Sequence, residues 1–297
     1  MQSFGGITRA HFVAPHPDLR PYITTYYLAE VSSADGQPVT DLLHPEWGSI
    51  RYVCDGAVNG GAQPGPIAPV PPVTLVGHGS RAAKIECVSM RIASFGLLPL
   101  GWHRFVGLPA DAYADRSVDA RGLKSSVDFA ALFPAVAAAQ DVEQVASIFD
   151  NALLTALLAL RHSDESDAAL MQGLHDALLD AEVASVSEIT ERLSITVTQL
   201  ERLSKRVFGF PPKLLIRRQR FLRTLANLMR QPDAKWADIL DPQYHDQAHF
   251  NRDFQRFFGM APKHYLALDK PIVLAGAMAR MAALGDPLQG LHIPQAR

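Results

Sequence analysis

The chain has 297 residues, of which 48% are hydrophobic and 20% charged, a balance typical of a globular protein with room for about two domains. Its formal net charge of −2 hides an asymmetry. Residues 182–268 hold 14 basic and 9 acidic side chains, whereas the remainder holds 14 basic and 21 acidic ones. A basic module joined to an acidic one indicates that only one part of the chain meets a polyanion.

The sequence carries no targeting or redox signal. Cys54 and Cys87 have no metal-binding or disulfide-exchange spacing and are interpreted as inert thiols in a reducing cytosol. The N-terminus lacks the apolar core of a signal peptide. The apolar run 152–160 is far shorter than the roughly 20 residues that cross a bilayer. We therefore predict a cytoplasmic protein with no membrane partner, no metal and no cofactor.

Residues 1–125 predict a β-rich domain. Short runs rich in β-branched or aromatic residues alternate with Gly, Pro and Asp clusters, as in a barrel or sandwich. These runs are residues 22–28, 49–53, 73–76 and 84–90. The Gly- and Pro-rich segment 59–72 is predicted to be an exposed loop, because its sequence suits neither a helix nor a central strand. It is either a connector or a lid over a cavity.

Residues 126–162 change to an Ala- and Leu-rich composition and predict helices at 128–140 and 142–161, the first broken or kinked at Pro134. The second has one apolar stripe, formed by Val145, Ile148, Phe149, Ala152, Leu153 and Ala156. The stripe packs either on its own domain or on a second subunit, so this segment is a candidate for dimerisation. A domain boundary is predicted at 162–167, where Ser166 or Asp167 can cap the next helix.

A duplicated unit dominates the second half of the chain. The segment RLSKRVFGFPPK at 202–213 recurs as RDFQRFFGMAPK at 252–263, an offset of 50 residues (252 − 202). The identical pairs are Arg202/Arg252, Arg206/Arg256, Phe208/Phe258, Gly209/Gly259, Pro212/Pro262 and Lys213/Lys263. Two upstream apolar pairs, Leu200/Phe250 and Ile189/Ile239, keep the same offset.

Each copy predicts two short helices and a tight turn, which is the helix-turn-helix pattern. Ser187 is the expected N-cap of the first unit, and Gly209 and Gly259 are the expected C-terminal stops. The predicted helices of the second half are 168–180, 187–193, 196–208, 212–230, 235–240, 246–258 and 262–268.

Helical spacing separates an apolar face from a polar face in the second helix of each unit. The polar residues are Thr198, Glu201, Arg202 and Lys205 in the first, and Gln247, Asn251, Arg252 and Gln255 in the second, with His249 beside them. Such side chains suit the major groove, where Arg reads guanine, Asn and Gln read adenine, and Thr touches the thymine methyl group. Glu201 can accept from a cytosine amine or pair with Lys205.

Residues 167–268 resemble the DNA-binding domain of the AraC/XylS family of bacterial transcription regulators. The resemblance is strongest in DQAHFNRDFQRFFGMAPKHY at 246–265. It implies two helix-turn-helix units on one bridging helix, whose recognition helices enter major-groove segments roughly 34 Å apart. The implied fold is an α+β protein of two domains, with an N-terminal β-rich cupin-like barrel with helices and an all-α C-terminal double helix-turn-helix.

The resemblance also assigns roles to residues. The implied base-contacting positions are Thr198, Glu201, Arg202, Gln247, His249, Asn251 and Arg252. Phosphate contacts are expected from Lys205, Arg206, Arg256 and Lys263. The sequence departs from the family at Ser204, where Phe254 and the family have an aromatic residue, so the first unit is expected to pack more loosely. It also departs at 240–245 (LDPQYH), which leaves the angle of the second recognition helix open.

The N-terminal half resembles, more distantly, the cupin-like sensor domain of one group of these regulators. The resemblance rests on HPEW at 44–47, VGH at 76–78 and FGLLPLGWHRFVGLP at 95–109. It implies a barrel that senses an effector or dimerises. The candidate pocket residues are His44, Trp47, His78, Trp102 and His103. The alternative is that Trp102 and Phe105 are simply core, and a metal trio of His44, His78 and His103 lacks cupin ligand spacing.

The expected function is therefore a sequence-specific DNA-binding transcription regulator controlled by an effector or by dimerisation. Its expected partners are double-stranded DNA, a small-molecule effector, a second copy of the chain and RNA polymerase. A hydrolase or isomerase in the barrel, for which no motif is present, and a purely dimerising N-terminal domain stay open as alternatives. The predicted divisions are 1–125, 126–162, 163–268 and a tail, 269–297, that contains a helix at 272–284 and is loosely attached.

Overall fold

The computed structural model describes residues 6–160, 165–231 and 234–293. Its N-terminal part is rich in β-strands, as the sequence predicts, and the strands form one antiparallel sheet. The strands are β1 (Ile7–Val13), β2 (Ile23–Ser32), β3 (Val39–Leu43), β4 (Ser49–Ala62), β5 (Ala68–Pro69), β6 (Val73–Val76), β7 (Ala83–Leu97) and β8 (Ser117–Asp119). They follow the order β1-β2-β7-β4-β6-β8, with β3 paired to the first part of β7 and β5 paired to β4. We call this part, with its attached helices, the sheet domain.

Both faces of the sheet are covered. Because successive side chains of a strand point to opposite faces, Ile50 and Tyr52 of β4 join one cluster while Val53 joins another. The first cluster contains Tyr26 and Phe95 and is the main core of the domain. The second contains Val31, Val39, Val58, Ile85, Cys87, Met90 and Ile92. The second face borders the cavity described below.

The prediction of an exposed loop at 59–72 is wrong in its first part. Strand β4 continues to Ala62, pairing Asn59 with Glu86 and Ala62 with Ala83, and Asn59 also pairs with Pro69 of β5. Gly61 makes this tight hairpin feasible, because a Cβ atom there would lie 2.3 Å from the carbonyl oxygen of Pro66. Glycines that argue against a strand in sequence are here the residues that let two backbones approach.

The helices of the sheet domain are α1 (Pro99–Gly101), which continues into a π-helical turn (Trp102–Val106), α2 (Phe133–Ala138) and α3 (Val142–Ala159). Pro134 lies at the start of α2 rather than breaking a longer helix, since the first helical turn needs no N–H from it. The stripe of α3 packs on its own domain, with Val145, Phe149 and Leu153 buried in the main core.

Helix α3 is also, among the described residues, the one helix long and apolar enough by length and composition to span a bilayer. Its buried side chains lie in the sheet core, and Asp150 accepts a hydrogen bond from the Tyr26 hydroxyl at 2.7 Å. Packing against the sheet therefore accounts for the apolar residues Val142, Val145, Phe149 and Leu153 of this helix.

The C-terminal part is helical, as predicted. Its helices are α4 (Glu165–Leu179), α5 (Val186–Leu193), α6 (Val197–Phe208), α7 (Pro212–Arg230), α8 (Trp236–Ile239), α9 (Gln247–Phe258), α10 (Pro262–Leu266) and α11 (Pro271–Leu284). Ser185 rather than Ser187 caps α5, accepting from the N–H of Glu188 at 3.3 Å. Ser166 and Asp167 lie inside α4, so neither caps it, and most of the predicted boundary falls on residues 161–164, outside the described part.

The prediction of a loosely attached tail is wrong for residues 269–293, the part of the tail that the structure describes. The Asp41 carboxylate of β3 accepts the N–H groups of Ile272 and Val273, both at 2.8 Å, and so caps α11 from another element. Arg280 is buried and donates to the Thr25 hydroxyl at 3.1 Å. These partners lie more than two hundred residues away in sequence, which is why local patterns do not reveal them.

Candidate nucleic-acid interface

The first helix-turn-helix unit consists of α5 and α6. Thr196 and Gln199 form a capping box at the start of α6, with the Thr196 N–H donating to Gln199 Oε1 at 2.8 Å. The turn before it uses Ser194 in the left-handed region (φ +53°), and Gly209 (φ +80°) ends α6. Ile189, Leu200, Leu203 and Val207 are buried, as the spacing predicts.

The opposite face of α6 is open to solvent. The predicted base-contacting residues Thr198, Glu201 and Arg202 are all exposed, and so is Lys205. No ion pair joins Glu201 to Lys205 in the part of the chain that the structure describes. Arg206 instead pairs with Asp167 of α4 at 2.6 Å, the two side chains being 46% and 41% exposed. Such a surface pair is weak enough to exchange for a phosphate.

The expectation that Ser204 loosens the first unit is wrong. Ser204 is fully buried, and its hydroxyl donates to the Phe210 carbonyl oxygen at 2.5 Å. Trp47, Leu98 and Leu100 of the sheet domain belong to the same buried cluster as Leu200, Leu203 and Val207 of this unit. The core of the first unit is thus completed by another domain.

The second unit has an aromatic core of its own. Phe250, Phe254, Phe257 and Phe258 of α9 surround Phe221 of α7, with ring centroids 4.8 to 6.0 Å from it. Asp246 caps α9 by accepting the His249 N–H at 2.6 Å. The predicted base-contacting residues Gln247, Asn251 and Arg252 are exposed, and so are Arg256 and Lys263, which are predicted to contact phosphates.

His249 differs from its neighbours on α9. It is half-buried, with Nε2 3.1 Å from Nη2 of Arg220 and its ring against Tyr244. Burial, together with the positive charge of Arg220, lowers the pKa of His249. The ring is therefore neutral and held by the bridging helix at the edge of the reading face.

A buried carboxylate fixes α9 to α7. Asp253 is fully buried, yet it accepts from Arg217 and, at 2.8 Å, from Arg220, and it also accepts from the Tyr244 hydroxyl at 3.0 Å. Burial alone would raise the pKa of Asp253, but the hydrogen bonds from the two arginines lower it. The equivalent residue of the first unit is the apolar Leu203. An acid at this position of the second unit was therefore the sequence signal for these buried contacts, which we call the Asp253 clamp.

A second clamp sets the unusual turn at 240–245. Asp241 is buried, accepts from Arg223 of α7, and donates its own N–H to the Thr224 hydroxyl at 2.9 Å. Its carboxylate also accepts the Gln243 N–H at 3.0 Å. These contacts fix the angle at which α9 leaves the turn, which the sequence left open.

Both units are packed on the sheet domain. Arg218 of α7 is fully buried, its guanidinium carbon 3.9 Å from the centre of the Trp47 ring, and Nη1 donates to the Gly79 carbonyl oxygen at 2.9 Å. Burial lowers the pKa of Arg218 to about 9. On the second unit, the Phe257 carbonyl oxygen accepts from the Ala82 N–H at 2.7 Å. The bridging helix α7 and the recognition helix α9 of the second unit are therefore both in direct contact with the sheet domain.

A cavity lies between the second face of the sheet and α11. Its volume is about 220 Å³, against roughly 10–15 Å³ for a single water on the same scale, so a small organic molecule fits. Two of the predicted pocket residues, His44 and Trp47, line it. His44 also contacts the Tyr265 hydroxyl of α10 at 3.0 Å through Nε2.

The other three predicted pocket residues lie outside this cavity. Trp102 is fully buried and donates its indole N–H to the Leu108 carbonyl oxygen at 2.8 Å, so Trp102 and Phe105 are core, the alternative that the sequence allowed. His78 Nδ1 accepts from the Gly48 N–H at 2.9 Å, and His103 lies half-buried in the π-helical turn. Over the described ranges, no three His, Cys, Asp or Glu side chains are arranged to hold a metal ion.

Residues 189–267 match a family model described as a helix-turn-helix domain. The matched segment runs from within α5 to the end of α10 and contains both units and the bridging helix. The chain carries an AraC-type helix-turn-helix domain. No curated protein sequence is significantly similar to the chain as a whole.

Among solved structures, the chain is similar to ToxT from Vibrio cholerae. One ToxT structure has 12% identity and a TM-score of 0.45, covering 81% of this chain and 97% of ToxT. Another, of ToxT with an unsaturated fatty acid bound, has 12% identity and a TM-score of 0.42, covering 90% of this chain and 97% of ToxT. Similarity at this level assigns neither residues nor a ligand to the present chain.

Proposed function

We propose that this protein is a sequence-specific DNA-binding transcription regulator of the cytoplasm. The main support is that α6 and α9 bury their apolar faces and expose side chains suited to the major groove. The bridging helix α7 connects the two units that contain them. Arg202 and Arg252 are exposed at equivalent positions, as a repeated reading unit requires. A second copy of the chain and RNA polymerase are the further partners that such a regulator engages.

We also propose that the cavity of the sheet domain holds a small-molecule effector. Its walls combine apolar residues with a few polar ones, the composition of small-molecule sites. Trp47 lines the cavity on one side and stacks under Arg218 of α7 on the other. A ligand that shifts Trp47 therefore acts directly on the helix that carries both reading units.

The test is binding of the full-length protein to a library of duplex DNA, measured by fluorescence anisotropy at several salt concentrations. We expect selection of a defined sequence and a linear fall of log affinity with log salt, with a slope of about −0.9 for each phosphate contacted. Affinity that depends on neither the sequence nor the salt concentration would contradict the proposal.

Arg252→Ala and Lys263→Ala are expected to differ in kind. Arg252 is exposed on the reading face of α9, so its loss is expected to cost about 1–3 kcal/mol at one base position and to relax the preference there. Lys263 is exposed at the start of α10, and its loss is expected to weaken all sequences alike and to lower the salt slope by about 1. Equal losses on every sequence from both variants would refute this division of roles.

A further inference from the structure

Val197 is an exposed apolar side chain at the start of the first recognition helix. It is the first residue of α6 and is 52% exposed, whereas Leu200 and Leu203 of the same helix are buried. Among the described residues, Val197 is the one large apolar side chain of α6 or α9 that is open to solvent. The core of the first unit therefore does not account for a valine at this position.

Helix stability does not account for this valine either. Valine has a lower helix propensity than alanine or glutamine, because its branched side chain loses freedom in a helix. It also lacks the negative charge that stabilises the first turn of a helix. The start of α6 is already secured by the capping box of Thr196 and Gln199. Since the valine contributes little to the fold, a function in binding is the better explanation for it.

Val197 lies where a recognition helix meets DNA. The N-terminal residues of such a helix contact base edges in the major groove. Val197 is adjacent to Thr198, a predicted base-contacting residue, and Glu201 follows at i+4 on the same side of the helix. Both of these side chains are exposed. Val197 therefore belongs to the surface of α6 that is proposed to face the bases.

The second unit has a polar side chain at the equivalent position. Gln247 lies 50 residues further along (247 − 197), is likewise the first residue of its helix, α9, and is exposed. Together with Asn251 it lines a surface groove whose other side includes Pro262 and Lys263 of α10. Gln247 is itself a predicted base-contacting residue. The same place in the first unit is therefore a base-contacting position that carries an apolar side chain.

An apolar side chain at this position can distinguish one base from the other three. In the major groove, thymine alone presents a methyl group, at C5, whereas the other bases present hydrogen-bond donors and acceptors. The valine side chain has no donor or acceptor, and in a helix its two methyl groups are held mostly in one rotamer. Contact between these methyl groups and the thymine methyl group removes apolar surface from water on both sides.

We propose that Val197 is a specificity-determining residue that selects a thymine, through its C5 methyl group, in the half-site of the first unit. This inference rests on the proposed function, since it names a base that the proposed DNA-binding unit recognises. At the equivalent position the second unit uses the amide of Gln247, which suits adenine. The two half-sites of the DNA are therefore different sequences rather than copies of one.

The test uses the full-length protein and the DNA sequence that the wild type selects. Each thymine of the first half-site is replaced in turn by deoxyuridine, which lacks only the methyl group. Arg202→Ala locates this half-site by relaxing the preference at one base pair. Val197 lies about 7.5 Å from that residue along the helix, or about two base pairs. We expect one replacement within about three base pairs to weaken wild-type binding by about three- to tenfold.

Three variants assign that loss to Val197. Val197→Ala is expected to bind the thymine DNA as weakly as the wild type binds the deoxyuridine DNA, and to lose nothing further on the replacement. Val197→Gln installs the residue of the second unit and is expected to change the preferred base at that position from thymine to adenine. Val88→Ala makes the same substitution at a valine of β7 that is 43% exposed, and this matched control is expected to behave as the wild type does.

The opposite results would overturn the inference. They are a wild type that no deoxyuridine weakens, a Val197→Ala variant that keeps the wild-type loss, and a Val197→Gln variant that still prefers thymine. Thr198→Ser keeps the hydroxyl and removes the methyl group, so disappearance of the same loss in this variant would assign the contact to Thr198 instead. A wild type that selects no DNA sequence would overturn the proposed function, so the two failures are distinguishable.

Discussion

Replacing Asp253 by alanine is expected to lower the free energy of unfolding by about 3–5 kcal/mol and to abolish DNA binding by the second unit. The carboxylate is fully buried and is the shared partner of Arg217, Arg220 and Tyr244. Without it, the largely buried guanidinium of Arg220 keeps its desolvation cost but loses its counter-charge. Urea denaturation gives the change in stability, and anisotropy on the selected DNA gives the change in binding.

Two further variants distinguish the loss of the buried Asp253 contacts from a general effect of removing an acidic side chain. Asp253→Leu installs the residue type found at the equivalent position of the first unit, yet it is expected to be as destabilising as alanine, because the arginines stay unpaired. Asp238→Ala removes an exposed acid of α8 and is expected to change stability by less than about 0.5 kcal/mol. Wild-type stability of Asp253→Leu would show that the clamp is not needed.

Acidification is expected to destabilise the contact between the two domains. His78 and His175 are both buried near Arg218, and burial lowers the pKa of each to about 3. In the unfolded chain the same residues take a proton as the pH falls through about 6.5. Between about pH 6.5 and pH 3 the unfolded state binds more protons than the folded state. The free energy of unfolding therefore decreases as the pH decreases, by up to about 2 kcal/mol for each histidine at pH 5.

Denaturation at pH 7 and pH 5 measures this loss. His175→Gln cannot take up a proton, so the pH-dependent loss is expected to shrink by about 1.4 kcal/mol per pH unit in the window where that histidine titrates. His264→Gln changes an exposed histidine of α10 and is expected to leave the slope as it is in the wild type. Burial raises the pKa of the Asp41 carboxyl and of half-buried Glu46. Between the ordinary and the raised pKa of each acid the folded state binds more protons, so these two groups offset part of the loss. A slope that His175→Gln does not change would contradict the assignment.

The helix-turn-helix units were predictable because their determinants are local. Thr196 and Asp246 cap the helices that follow them, and Gly209 and Gly259 adopt the left-handed conformation that ends those helices. The inward and outward faces follow from a period of 3.6 residues, which a single sequence shows directly. The duplication made the pattern specific, since the same determinants occur twice in one order.

The cavity and the clamps were not predictable in this way. The N-terminal pocket residues were inferred from motifs, but only His44 and Trp47 reach the cavity, while Arg51 lies in a strand run that shows no motif. In the sequence, Asp253 stands out only as an acid at a position that is apolar in the first unit. Its partners Arg217 and Arg220 lie on a different helix. Local periodicity says which residues are buried but not which charged residues meet there.

By itself, the sequence determined the sheet-then-helix order, the repeated unit and its exposed reading faces, because strand composition, caps and helical spacing act within about ten residues. Only the tertiary structure decided that Trp47 packs into the core of the first unit, that Asp41 caps α11, and that α11 lines a cavity on the sheet. Each of these depends on burying surfaces from distant parts of the chain together. Burial depends on the assembled fold, so it cannot be read from any single segment of the sequence.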